Sequence, residues 1–279
     1  MELTYACPND EPFLRKLWTL CFGGPEDYLD LYFQNRFVPE DTLIARENGV
    51  PVAMLTLMNV RIGDHKGFYI YAVATHPDYR GRGLQRQLDR YAIDMMRKRG
   101  GEFCCLVPAE ESLLGFYEKL GYGVDFYRWE KRIDDDVFCL PTEFSPCSYR
   151  MFVGMRAKYL NTLSNALAHP DRELRYIYRE LCGCCGSVLR FCEESRDCYA
   201  AYTAEGGQLY LREQTGADPE QIARSLMGLC GSSSAVIASA SPFPGAERRA
   251  WGMGKWLGEG SISLSEHLSG PGYMALMLD

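Results

Sequence analysis

No stretch of this 279-residue chain approaches the roughly 20 consecutive apolar residues that cross a bilayer as a helix, so no membrane partner is expected. Positive charge is short as well. Lys and Arg number 30 against 37 Asp and Glu, and a net charge of −7 argues against nucleic acid as a partner. Histidine is scarce: His65, His76, His169 and His267 form no ligand spacing, and no metal site is expected. Met1 to Asp10 is polar and lacks a signal-peptide apolar core, which points to the cytoplasm. The twelve cysteines are therefore not read as a disulfide framework. Cys104 and Cys105 lie in an apolar run, where cysteine behaves as a small hydrophobe. The segment Cys182-Gly183-Cys184-Cys185 matches known ligand spacings poorly.

What is present is material for packed cores, with 47% hydrophobic and 24% charged residues, in a chain long enough for two domains. The most informative run is Tyr79-Arg80-Gly81-Arg82-Gly83-Leu84-Gln85-Arg86. It follows a strand-like stretch, Phe68 to Thr75, and opens a helix-like stretch, Leu84 to Arg99. A glycine turn lets backbone approach a ligand closely, and the first helical amides have no partner of their own. The helix dipole favours an anion there, and Arg80 and Arg82 add forked donors. The run reads as a diphosphate cradle; a plain helix start with surface arginines is the alternative.

Upstream, helices are expected over 11–22 and 25–35, with Gly23-Gly24 ending the first. Strands follow at Thr42–Glu47 and Val52–Val60, joined at Asn48-Gly49, a strong two-residue hairpin signal. Downstream come a strand at Phe103–Val107, a short helix Leu113–Leu120 with Ser112 as its N-cap, and a strand at Val124–Lys131. This is a mixed α/β domain over residues 1–132, followed by a linker over 133–148. Residues 149–279 repeat the order: helices at 155–168 and 171–181, three strands, a helix from Asp218-Pro219-Glu220 to Cys230, and a strand at 235–240. The place of the glycine loop is taken by Gln214-Thr215-Gly216-Ala217-Asp218-Pro219. With an aspartate and no arginine, it would repel an anion.

These residues resemble the GCN5-related N-acetyltransferase (GNAT) superfamily. Arg80-Gly81-Arg82-Gly83-Leu84-Gln85 is similar to its Gln/Arg-x-x-Gly-x-Gly/Ala loop, with Gln85 in place of the last small residue. Ser112-Leu113-Leu114-Gly115-Phe116-Tyr117-Glu118-Lys119-Leu120-Gly121-Tyr122 is similar to its second signature helix. The two-domain layout resembles the bacterial branch of the enhanced-intracellular-survival acetyltransferases, in which a degenerate GNAT-like domain follows the first. The resemblance implies acetyl-CoA as acyl donor and a small-molecule or peptide amine as acceptor. It implies backbone pairing of the pantetheine arm with Ala72, Val73 and Ala74. It also implies diphosphate binding by Arg80, Gly81, Arg82, Gly83, Leu84 and Gln85, and a polar contact from Ser112.

By the same resemblance Tyr117 is the general acid; the alternative is a packed aromatic on an amphipathic helix. A family glutamate on the fourth strand has no counterpart in Lys66-Gly67-Phe68-Tyr69-Ile70-Tyr71. Tyr69 and Tyr71 share one strand face and read as acceptor-pocket residues or as β-favouring aromatics. The related branch implies a carboxylate at Asp279, carried by a strand-like terminal run from Tyr273. The functional expectation is direct acetyl transfer to a primary amine, with a non-catalytic acyl-CoA sensor as rival. The sequence leaves the oligomeric state open.

Overall fold

Alternating apolar residues and turn chemistry place most of the chain in one sheet. The computed structural model describes residues 1–134, 142–259 and 263–278. In chain order its first half contains β1 (Glu2–Tyr5), α1 (Glu11–Phe22), α2 (Glu26–Asn35), β2 (Thr42–Glu47), β3 (Val50–Ile62) and β4 (His65–Thr75). Then come α3 (Leu84–Lys98), β5 (Phe103–Leu106), α4 (Leu114–Glu118) and β6 (Gly123–Asp134). The second half opens with β7 (Ser145–Pro146), α5 (Tyr149–Leu160), β8 (Leu167–Ala168), α6 (Asp171–Gly183), β9 (Gly186–Glu193) and β10 (Arg196–Glu205). It continues with β11 (Gln208–Gln214), α7 (Pro219–Cys230), β12 (Ser234–Ser239), β13 (Glu247–Trp256) and α8 (Leu264–His267).

The strands form a single mixed sheet in the order β1-β2-β3-β4-β5-β13-β6-β12-β11-β10-β9-β7, with β8 joined to β3. The β2–β3 turn is Asn48-Gly49, both residues at positive φ (51° and 81°), as a two-residue hairpin requires. β13 was not expected. Its sequence, ERRAWGMGKW, has no β-branched residue, yet it pairs with β5 at Met253↔Leu106 and with β6 at Glu247↔Glu130. A side chain at Gly252 would collide with Met274, and one at Gly254 with Leu264, so close packing selects these glycines.

Helices cover both faces in the first half. Leu17 and Trp18 of α1, Tyr32 and Phe33 of α2, and Tyr176 and Ile177 of α6 share one core with Tyr69 and Tyr71 of β4. Leu88, Ala92 and Met96 of α3 form another with Phe68 and Ile70, and Tyr117 belongs to it. The fully buried Leu88 and Met96 each contribute roughly 1.5–3 kcal/mol by leaving water. A third core lies under α7.

The two halves are tied by charge as well as by strands. Asp41 accepts from Arg99 at 2.8 Å and from Arg172 of α6 at 2.5 Å, with Arg36 at 3.4 Å. Arg36 is fully buried and also donates to Glu173 of α6 at 3.2 Å and to the Leu57 carbonyl at 2.9 Å.

Three expectations change. The helix read over 155–168 begins earlier, because Ser148 caps it by accepting from the Met151 amide. It ends at Leu160, since Leu167 donates to the Tyr273 carbonyl and β8 pairs with β3, and that tertiary pairing outweighs local propensity. The run from Tyr273 is not a strand: it is buried but makes only isolated bridges, Phe126↔Gly272 and Ala166↔Tyr273. Of the expected linker, residues 135–141 lie outside the described residues, and β6 runs on to Asp134, which pairs with Ser234 of β12. No helix among the described residues is long and apolar enough to cross a membrane.

Candidate active site

The site begins with a bulge. β4 pairs with β3 through Thr75, but the register slips between Met54 and Thr56, leaving Ala72 and Val73 opposite Leu55. Ala72 takes φ +52°, a conformation that costs an L-residue about 1–2 kcal/mol. As a result Tyr71 and Ala72, neighbours in sequence, both face the α1–α2 core, while Val73 faces the α3 core. On its other edge β4 pairs with β5 only at Gly67↔Phe103, Phe68↔Cys104 and Tyr69↔Cys105. Beyond Tyr69 the two parallel strands part. On that edge the β4 backbone has no ladder partner among the described residues, so an extended chain with amides of its own would find donors and acceptors.

The anion cradle lies where β4 ends. Gly81 and Gly83 take φ +74° and +71°, conformations that favour glycine. Gly83 is the N-cap of α3 and supplies no side-chain cap. The first backbone hydrogen bond into the helix is Gln87 N–H to the Gly83 carbonyl, at 3.2 Å. That leaves the amides of Leu84, Gln85 and Arg86 at the positive end of a 15-residue helix. Arg80 and Arg82 brace the loop: Arg80 donates to the Thr75 carbonyl at 3.1 Å and Arg82 to the Asp78 carbonyl at 2.7 Å. Gln85 points at the end of β4, accepting from the Thr75 hydroxyl at 3.4 Å.

Between bulge and parted strands lies a cavity of about 360 Å³. Tyr69, Tyr71 and Tyr117 all line it, together with Ala72, Val73 and Leu278. Tyr117 is buried, edge-on to Phe116 and Tyr122, and its hydroxyl has no hydrogen bond among the described residues. Burial first, and then the nearby Asp89 carboxylate, push its phenol up to about 12. Asp89 is itself raised by burial and accepts from the Tyr122 hydroxyl at 2.7 Å.

Across the cavity, Tyr69 donates to the Leu278 carbonyl at 2.7 Å, and the Tyr71 and Tyr28 hydroxyls lie 2.9 Å apart. The segment Tyr273 to Leu278 is buried throughout and ends in the cavity; Asp279 lies outside the described residues. Ser112 does not cap α4. It sits exposed in a 3₁₀ turn, Glu111–Leu113, and it is Leu113 that lines the cavity. A 3₁₀ entry satisfies the first amides through the backbone itself and needs no hydroxyl.

The cavity residues that were not anticipated include Trp18 of α1, Tyr28 of α2 and Glu180 of α6. For Glu180 a signal existed. Tyr176, Ile177 and Glu180 recur at helical spacing, placing a carboxylate beside the buried stripe of α6. No group of three or more His, Cys, Asp or Glu side chains among the described residues is placed to hold a metal.

Comparisons with known proteins bear on the fold that carries this site. Residues 5–124 match the model of the acetyltransferase (GNAT) domain. N-alpha-acetyltransferase 30 of Schizosaccharomyces pombe is 30% identical over 98 residues, 34% of this chain, and the match spans 65% of that relative's length. A GCN5-related N-acetyltransferase from Anabaena variabilis superposes with a TM-score of 0.70 at 14% identity, covering 92% of this chain and 73% of that one. Eis1 from Mycobacterium abscessus superposes with a TM-score of 0.64 at 10% identity, covering 92% and 74%. Likeness at these identities is likeness of fold, and it runs through both halves. Residues 5–124 are thus similar to the GNAT acetyltransferase domain, and the fold of nearly the whole chain is that of the solved N-acetyltransferases.

Proposed function

We propose that this protein is an acetyl-CoA-dependent N-acetyltransferase that moves the acetyl group directly to a primary amine, in the cytoplasm. The observation that carries the reading is a juxtaposition. The unpaired edge of β4 beyond Tyr69 and the uncapped first turn of α3 lie at the two ends of one short segment, residues 70–86. Few ligands need both a run of amide partners and a diphosphate cradle, and coenzyme A is one.

Acetyl-CoA supplies the thioester; the rest is the work of this chain. Leu84, Gln85 and Arg86 offer their amides to the diphosphate, with Gly81 and Gly83 shaping the loop and Arg80 and Arg82 adding positive potential. Ala72, Val73 and Ala74 pair with the pantetheine arm as a strand would. Tyr69 and Tyr71 wall the acceptor side. With its phenol raised to about 12, Tyr117 stays protonated through the working range and hydrogen-bonds the charge that develops on sulfur. Full transfer of the Tyr117 proton to the thiolate, whose conjugate acid has an ordinary pKa of about 8.5, runs uphill. The thiolate therefore leaves hydrogen-bonded to Tyr117 and takes its proton from water, while the amine gives up its own proton separately. Asp279, which follows the anchored Leu278, is the proposed carboxylate that receives that proton.

The test is release of free thiol when the protein, acetyl-CoA and a panel of amines are mixed. Tyr117→Phe is expected to lower kcat by about 10²–10⁴-fold while acetyl-CoA affinity is unchanged. Undiminished turnover would remove Tyr117 from the mechanism. Tight acetyl-CoA uptake with no thiol release from any amine would make the protein an acyl-CoA sensor instead.

A further inference from the structure

The cavity has two chemically distinct sides. Tyr117 packs with α3, whereas Trp18, Tyr28, Tyr69 and Tyr71 pack with the α1–α2–α6 core, and the two groups meet where β4 and β5 part. The second side is aromatic: Trp18 lies 5.8 Å from Tyr71 and 6.1 Å from Tyr28 between ring centroids, and Tyr69 stacks on Tyr71 at 6.3 Å. Set into that aromatic wall is one charge. Glu180 is the single ionisable acid or base lining the cavity among the described residues, apart from the tyrosines, and it comes from α6 of the second half. Its field reaches the tyrosines: after burial, the Glu180 carboxylate is the next cause pushing the Tyr28 phenol up to about 12.

Aromatic faces beside a carboxylate favour an organic ammonium, by ring quadrupole and by charge. The reacting nitrogen is a poor candidate for that ammonium. It must be neutral to attack, and the proton it gives up already has a proposed receiver in Asp279. It also has to sit at the bulge facing Tyr117, across the sheet from the α6 side. Glu180 therefore suits a second cation on the same acceptor.

Resting on the acetyl-transfer reading, we infer that the acceptor is an alkyl di- or oligoamine, whose non-reacting ammonium is held by Glu180 against Trp18 and Tyr28. The second half of the molecule thereby sets acceptor choice, and amines that carry a carboxylate at that position are disfavoured.

Thiol release is measured with putrescine, butylamine and gamma-aminobutyrate, three primary amines of equal chain length that differ in distal charge. The native protein is expected to favour putrescine over butylamine by about 10- to 30-fold in kcat/KM, with gamma-aminobutyrate lowest. Glu180→Gln should erase that preference through KM for putrescine, leaving butylamine within about two-fold and acetyl-CoA uptake by calorimetry unchanged. Equal use of putrescine and butylamine by the native protein overturns the proposal. So does a Glu180→Gln variant that loses activity toward all three amines alike, which marks a structural role. Calorimetry of putrescine with the CoA-saturated protein separates the two readings. Glu180-dependent binding without thiol release would sink acetyl transfer and keep the diamine site, whereas release without charge preference would do the reverse.

Discussion

Helices α3 and α7 occupy the same place in two copies of one element order, and their first turns differ in a single respect. At α7 the chain supplies its own anions. Asp218 accepts from the Glu220 and Gln221 amides at 3.0 and 3.1 Å, and the Glu193 carboxylate takes the Ala217 amide at 3.1 and 3.0 Å. At α3 the corresponding position is Gly83, and no side chain caps the turn. The parted strands differ in the same sense. Beyond Leu211 and Ile237, where β11 and β12 stop pairing, the interior is filled by Glu213, which binds Arg156 at 2.8 Å and Tyr199 at 2.6 Å. The equivalent region beside β4 is the 360 Å³ cavity. At these two places the second half satisfies its polar groups with its own side chains, and the first half leaves the matching helix amides uncapped and the matching space open.

The most severe way to break this comparison is to remove the filling. Glu213→Ala leaves the buried Arg156 guanidinium without its partner, and an uncompensated buried charge costs about 3–5 kcal/mol. The urea midpoint should fall accordingly, and the paired change Arg156→Met with Glu213→Leu should recover most of the loss. If Glu213→Ala is as stable as the native protein, the ion pair is not what fills the second half.

Next in size is to give α3 the chemistry of α7. Gly83→Asp installs an anion at the N-cap, and acetyl-CoA affinity should drop by about 100-fold, since it adds repulsion and occupies the amides. Gly83→Asn is the control, because asparagine tolerates positive φ and caps without charge. It should lose less than the aspartate by about ten-fold; equal losses would show that conformation, not charge, governs the loop.

Acid probes the tie between the halves. Burial alone would raise Asp41, but Arg36, with Arg172 and Arg99, holds its carboxyl below the usual range. Its folded value is thus below its unfolded value, so its contribution is complete above the ordinary aspartate range and is lost as pH falls through the folded value. Between pH 5 and pH 2 the melting temperature should fall more steeply for the native protein than for Asp41→Asn. Parallel curves would show that the cluster holds nothing together.

What the sequence disclosed of this contrast was the part written in backbone chemistry. Glycines at 81 and 83 and an aspartate before proline at 218 announce how each helix starts, and Asn48-Gly49 announces its hairpin, because few residues satisfy those dihedrals. The bulge at Ala72 left no trace, since alanine has no special claim on positive φ and only the pairing with β3 and the parted β5 impose it. β13 was hidden for a related reason: Arg, Gly and Lys carry no strand preference, and close packing around Gly252 and Gly254 decides the matter. Glu180 was legible as a charge on an apolar stripe, but its convergence on Tyr28 and Tyr71 from 100 or more residues away is a product of topology.

The mildest test is also the cleanest statement of the comparison. Asp218→Ala removes the α7 cap and should cost about 1 kcal/mol, the usual price of an N-cap acid or hydroxyl. For a chain of this length that is roughly 2–4 °C in melting temperature. It should not create a second coenzyme site, because Glu193 still holds the Ala217 amide and Glu213 still fills the interior. Acetyl-CoA stoichiometry by calorimetry should therefore stay at one per chain. A second equivalent appearing in this variant would mean that a single aspartate is all that separates the two halves, and that the buried pair behind it plays no part in keeping the ligand out.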